Sequence, residues 1–151
     1  DLYYGKTAST VAEAHQLQDA SDGSLLQATA QAALGYFREH TAVRGEQLFA
    51  QQVKQASGSN ASCTACHSLV PGEVKTGPSL AGVAARAETR VAGESAEQYI
   101  RASIQQPNAF IVPDNPAYMG ANGKSLMPEG LSNLMSDQDL ADLIAYLLTL
   151  Q

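Results

Sequence analysis

Both cysteines of the chain, and one of its three histidines, fall within nine residues: ASCTACHSL, 61–69. Four chemistries use a Cys-x-x-Cys pair. A thioredoxin-like dithiol sits in a βαβ setting, and no alternating β pattern surrounds this one. Structural zinc needs four ligands, and the chain has neither a second CxxC nor an HxxxH. A disulfide closing so small a ring is a strained staple. The fourth chemistry uses the histidine as well: Cys-x-x-Cys-His is the attachment pattern of a c-type haem. Positions i and i+3 share one face of a helical turn. Cys63 and Cys66 are therefore expected to form thioethers to the two haem vinyl groups, with His67 beneath the iron as proximal ligand. Thr64 and Ala65, between them, are small and do not obstruct the macrocycle.

An electron-carrying haem commonly takes a methionine opposite the histidine. The three methionines, Met119, Met127 and Met135, all follow the CxxCH. Ser136 reads as a helix N-cap with Asp139 at the capping-box position, which makes Met135 a hydrophobic staple on Leu140. Met119 precedes a turn in YMGANGK. Met127 lies in SLMPEG, where the following proline keeps the chain extended and out of a helix. That suits a strap across an open haem face, so Met127 is the expected second ligand. Met119 and a non-methionine ligand stay as alternatives. His15 and His40 read as residues of solvated helix faces.

These residues need elements to position them. Leu140, Leu143, Ile144 and Leu147 follow i, i+3, i+4, i+7 spacing, which predicts a C-terminal helix, with Leu150 extending the stripe. Val43, Leu48 and Phe49 mark one face of an earlier helix, with Gly45 giving room for close approach. SAEQYIRASI (95–104) predicts a third helix, capped by Ser95, stopped by Pro107, with Tyr99, Ile100 and Ile104 inward. The stretch from Pro107 to Leu134 reads as one long loop, which is unusual unless a large apolar group supplies the surface it packs on. Upstream, STVAEAHQLQDA (9–20) and SLLQATAQAALGYFREH (24–40) predict two helices separated by the turn DASDG. Leu26, Ala30, Ala33 and Phe37 lie at helical spacing in the second. The domains expected are an N-terminal helical extension, 1–40, and a haem domain, 41–151.

The chain has 151 residues, 44% hydrophobic, and a formal charge of −6 with only four lysines. One domain with a real core is affordable at this length. The charge argues against nucleic acid, which needs a basic face, and against an acidic membrane surface. No apolar run reaches the roughly 18 residues needed to span a bilayer; LIAYLLTL is too short. The segment is therefore expected to be soluble. There is no initiator Met and no signal-peptide pattern at Asp1, which suggests a mature or trimmed product. Membrane anchoring through a segment before Asp1 stays open. NAS (60–62) matches the N-glycosylation pattern, a short match of low weight.

Residues 41–150 resemble a class I cytochrome c. RGEQLFA (44–50) is similar to that family's N-terminal helix, in which Gly45 and Phe49 would meet the last helix. CTACH is the haem site. TGPSLAG (76–82) resembles the segment whose proline carbonyl, here that of Pro78, accepts a hydrogen bond from the proximal histidine, as metal-bound histidines generally require. LMPEG resembles the methionine strap, and SDQDLADLIAYLLTL the final helix, with Leu143 and Tyr146 facing the first. The resemblance does not reach residues 1–40. It implies an all-α cytochrome c fold wrapped around one covalent haem c, with Cys63, Cys66, His67, Pro78, Leu80, Arg86, Tyr99 and Met127 against the cofactor. Among Arg86, Arg90, Arg101, Tyr99 and Tyr118, the propionate partners expected are Arg86 and Tyr99. It implies one-electron transfer, not enzymatic turnover, on the periplasmic or equivalent side of an energy-transducing membrane. GPSLAGVAARA and QPNAFIVPDNPAYM resemble cytochrome domains of bacterial respiratory complexes. A subunit of such a chain is expected, with a free periplasmic shuttle as the alternative. A peroxidase-like enzyme or a sensor with a displaceable ligand is less favoured. Partners would be a quinol-oxidising complex, a terminal oxidase or a copper protein.

Overall fold

A computed structural model describes residues 23–151 apart from 114, 116 and 117, with the side chains of 23–26, 29, 36, 38 and 39 also outside the description. The predicted helix at 9–20, the DASDG turn, His15 and the Leu26 side chain lie outside the described residues. The chain divides into two compact units, Asp1–Glu39 and His40–Gln151. Among the described residues five α-helices follow in order: α1 (Gly23–Phe49), α2 (Cys63–Cys66), α3 (Val83–Ala87), α4 (Ala96–Gln105) and α5 (Asp137–Leu147), with a 3-10 turn at Leu131–Leu134 before α5. Among the described residues no strand forms; one isolated bridge pairs Met119 with Ser125. No helix among them is long and apolar enough to cross a membrane.

The two helices expected at 24–40 and 44–50 are one. HTAVRGEQ holds no proline, and the one glycine there lowers propensity without breaking the ladder, so α1 runs 27 residues unbroken. Its C-terminal end packs on α5. A Cβ on Gly45 would lie 1.9 Å from the Asp142 carbonyl oxygen and 2.8 Å from Tyr146 Cβ. Only glycine lets these backbones meet. One turn on, the Phe49 and Tyr146 rings sit 5.6 Å apart, tilted by 49°. Val43 does not share that face: it is 51% exposed, while Leu48 and Phe49 are buried. The inner face turns with the 3.6-residue period, and position 43 falls outside it.

Both predicted caps form. Ser95 accepts from the Gln98 amide while Gln98 reaches back to the Ser95 amide, opening α4. Ser136 and Asp139 do the same for α5. Ile100 and Ile104 of α4 join Phe49, Leu140, Leu143, Ile144, Tyr146 and Leu147 in one core, with Met135 packed against it. Beside this core, apolar side chains face a cavity.

Two buried acids, Asp139 and Asp142, are each 1% exposed. Arg44 reaches from α1 to both, donating through Nη2 to Asp139 and Nη1 to Asp142. Asp139 also accepts the Ala56 amide at 2.8 Å and the Ser136 amide at 3.0 Å. Burial pushes its carboxyl up, but the Ala56 amide, Arg44 and Ser136 together hold it down at about 2. Helix contact, loop 51–60 and the cap of α5 thus share one carboxylate.

Candidate functional site

The cavity has a volume of about 390 Å³ and a mainly apolar wall, within the range of small-molecule and cofactor sites. Cys63, Cys66 and His67 border it, from the single turn α2 and the residue after it. Both cysteines are free thiols. Burial pushes the Cys63 thiol up. The turn is tied down from outside. Gln51, in the left-handed region at φ 61° just past α1, donates its side-chain amide to Thr64 Oγ1 at 2.9 Å. Lys75 Nζ donates to the Thr64 carbonyl at 3.0 Å.

His67 is fixed as the sequence predicted. Its Nδ1 lies 2.8 Å from the Pro78 carbonyl oxygen. A carbonyl only accepts, so Nδ1 carries the proton and Nε2 keeps its lone pair for a metal. The ring is also held from its side. A Cβ on Gly77 would lie 2.6 Å from Cε1 and 3.0 Å from Nδ1 of His67. Gly77 further donates its amide to the Cys66 carbonyl at 2.8 Å. This role for Gly77 has no signal in the sequence, where TGPSLAG points to the Pro78 carbonyl alone.

Leu80, Arg86, Tyr99 and Met127 all border the cavity. Met127 and Leu80 are half-buried and pack against the core. Met119 is 41% exposed and is not on the cavity wall. Met135, read as a staple, borders the cavity as well. Arg86 donates to the backbone carbonyls of Ala81 and of Ser79, the latter at 2.8 Å. It braces the loop that follows Pro78, a task its sequence position does not announce. Tyr99 stacks edge-on against Phe110 at 6.1 Å. Burial pushes its phenol up, Arg90 and Arg86 pull it down, and Tyr118 and Glu94 push it up.

Arg90 and Tyr118 complete this polar edge. The guanidinium lies 5.6 Å over the Tyr118 ring, and Nη2 is 3.3 Å from the hydroxyl. Arg101, in contrast, pairs with Glu97 and is not on the cavity wall. Among the described residues neither Arg86 nor Arg90 forms an ion pair. An apolar cavity with two arginines and two tyrosines at its edge fits a flat apolar ligand bearing carboxylates. Two thiols and an imidazole with a free Nε2 fit one bearing vinyl groups and iron.

The Cytochrome c family model matches residues 42–151. The chain belongs to the cytochrome c family. Its all-α fold is that of a cytochrome c, and the family implies haem c and haem-based electron transfer. No curated protein and no solved structure matches the chain. In this cytochrome c domain the residues present therefore fit the group the family implies, on chemistry as well as on spacing.

Proposed function

We propose that this cytochrome c domain carries single electrons on one haem attached through Cys63 and Cys66, with His67 and Met127 as axial ligands in the class I arrangement. When bound, the haem supplies the Fe(III)/Fe(II) couple. The observation that carries the reading is the His67–Pro78 bond with Gly77 against the ring. It sets the tautomer, fixes the ring and raises its basicity as a ligand. Met127, half-buried on the wall with Pro128 behind it, supplies a thioether that favours the reduced metal. His67 and Met127 would both hold the iron, which would leave it no position for substrate and favours a carrier over a peroxidase-like enzyme. Arg86, Arg90, Tyr99 and Tyr118 would hold the propionates.

The working context proposed is the extracytoplasmic side of an energy-transducing membrane. There the domain would serve as a subunit or soluble partner of a respiratory or photosynthetic chain. A quinol-oxidising complex, a terminal oxidase or a copper protein would exchange electrons with it. The test is Met127→Ala beside Met119→Ala in the haem-loaded protein. Met127→Ala should abolish the weak red iron–methionine band and lower the potential, and Met119→Ala should change neither. Haem should stay with the polypeptide through acid-acetone extraction. The opposite methionine pattern, or release of haem, overturns the assignment.

A further inference from the structure

We infer that Asn108 is a positioning residue for the methionine strap, clamping it on both sides of Met127 to the end of α4. The inference rests on Met127 being the iron ligand. Asn108 follows the buried Pro107, where α4 has ended at Gln105, and a turn closed by the Ala109 amide on the Gln106 carbonyl at 2.8 Å presents it. Its Oδ1 accepts the Ser125 amide at 2.8 Å, and its Nδ2 donates to Glu129 Oε1 at 2.6 Å. Ser125 and Glu129 stand two residues before and two after Met127. Ser125 Oγ in turn accepts the Met127 amide at 3.1 Å. Pro128 has no amide to satisfy.

Among the described residues from Pro107 to Gly130 no helix holds the chain. The Leu126 amide reaches the Tyr118 carbonyl only at 3.4 Å. Asn108 thus links the strap to a helix that is anchored in the core by Ile100 and Ile104. The task needs an acceptor and a donor on separate atoms of one short side chain, which a carboxamide offers. Aspartate would keep the acceptor and set a like charge against Glu129. The side chain of Asn108 is exposed, so its removal leaves no hole in the core.

Loss of the methionine from iron is read by adding imidazole to the ferric haem-loaded protein. Imidazole enters only when the methionine leaves, so at saturation the rate becomes that of strap opening. Asn108→Ala removes two hydrogen bonds, one to a charged acceptor, and should raise that limiting rate roughly ten-fold. Glu129→Gln keeps an acceptor and should stay near wild type, while Glu129→Ala should fall between. The melting temperature of Asn108→Ala should shift far less than that of a core variant such as Ile104→Ala. A wild-type limiting rate in Asn108→Ala, with the iron–methionine band lost in Met127→Ala, overturns the clamp alone. A core-sized melting shift assigns Asn108 a general structural role and also overturns it. Survival of the band in Met127→Ala overturns the ligand assignment, and the clamp with it.

Discussion

Acid should loosen this domain through Asp139. Its carboxyl is lowered from the ordinary 3.8 to about 2, and a folded-state value below the unfolded one stabilises the fold where the group is ionised in both states. The contribution is therefore complete above about pH 5. It fades as pH falls through the unfolded value and is gone below about 2. A drop of this size is worth about 2.4 kcal/mol at 1.36 kcal/mol per pH unit. Asp139→Asn removes the ionisation while keeping the shape. At neutral pH it should cost about 2–4 kcal/mol, since Arg44 retains Asp142 but the Ala56 and Ser136 amides face a neutral, partly mismatched group. Near pH 2 the variant and the wild type should converge.

The assay is denaturant unfolding followed by far-ultraviolet circular dichroism at several pH values between 2 and about 7. Stability of the wild type should fall more steeply with acid than that of Asp139→Asn. The difference between the two slopes, integrated over the range, should be about 2.4 kcal/mol. Parallel curves would show that Asp139 has no depressed value, and that its bonds to Ala56, Arg44 and Ser136 do not favour the charged form.

Three further outcomes are expected. Gly77→Ala would place a Cβ 2.6 Å from His67 Cε1; it should lower stability by about 1–3 kcal/mol and shift the potential by moving the ring off the Pro78 carbonyl, and unchanged spectra and unfolding midpoint would show slack in loop 76–78. Gly45→Ala, with its Cβ 1.9 Å from a helix carbonyl, should cost about 3 kcal/mol or more in denaturant melts, since backbone cannot step aside as a side chain can. Electron transfer to a native partner should change less than about two-fold between about 0.01 and 0.15 M salt, although the Debye length falls from roughly 30 to 8 Å, because residues 57–71 carry no charge and expose Leu69 and Val70; a steep drop would point instead to the acidic residues meeting a basic partner.

The features legible in the sequence were those with a local rule. CTACH, the Ser95 and Ser136 caps, Gly45 beside Phe49, and the apolar stripe of α5 each follow from spacing over a few residues. The role of Pro78 was legible through the resemblance of TGPSLAG to the family's segment, which meets a metal-bound imidazole's need for an acceptor. Arg44, Asp139 and Asp142 were not, since acids on a helix ordinarily read as its solvated face and the partner is almost a hundred residues away. Asp139 was seen as a cap, which is only one of its contacts. Arg86 and Asn108 bond backbone groups, which leave no trace in residue type, and Gln51 meets Thr64 through a polar pair that no local spacing announces. The helix expected at 24–40 and the one carrying Val43, Leu48 and Phe49 are continuous, because helix propensity through HTAVRGEQ gives the chain no cause to stop.

These long-range polar contacts share one physical logic. A domain whose core borders a cavity holds its loops only in part by apolar packing, through residues such as Leu80 and Met127, since the loops also line that cavity. Polar side chains fasten them as well: Gln51 to the Thr64 hydroxyl and Lys75 to the Thr64 carbonyl of the CxxC turn, Arg86 to the backbone after Pro78, Asn108 to the Ser125 amide of the Met127 strap. Such bonds contribute only about 1 kcal/mol each to stability, yet they fix position where packing is thin. For an electron carrier, position matters more than stability. A ligand set that stays put between oxidation states keeps the reorganisation accompanying each transfer small, just as a preorganised site avoids rearrangement at the moment of reaction. The residues most consequential for electron transfer should then include exposed ones of modest energetic weight, and stability measurements alone would pass over them.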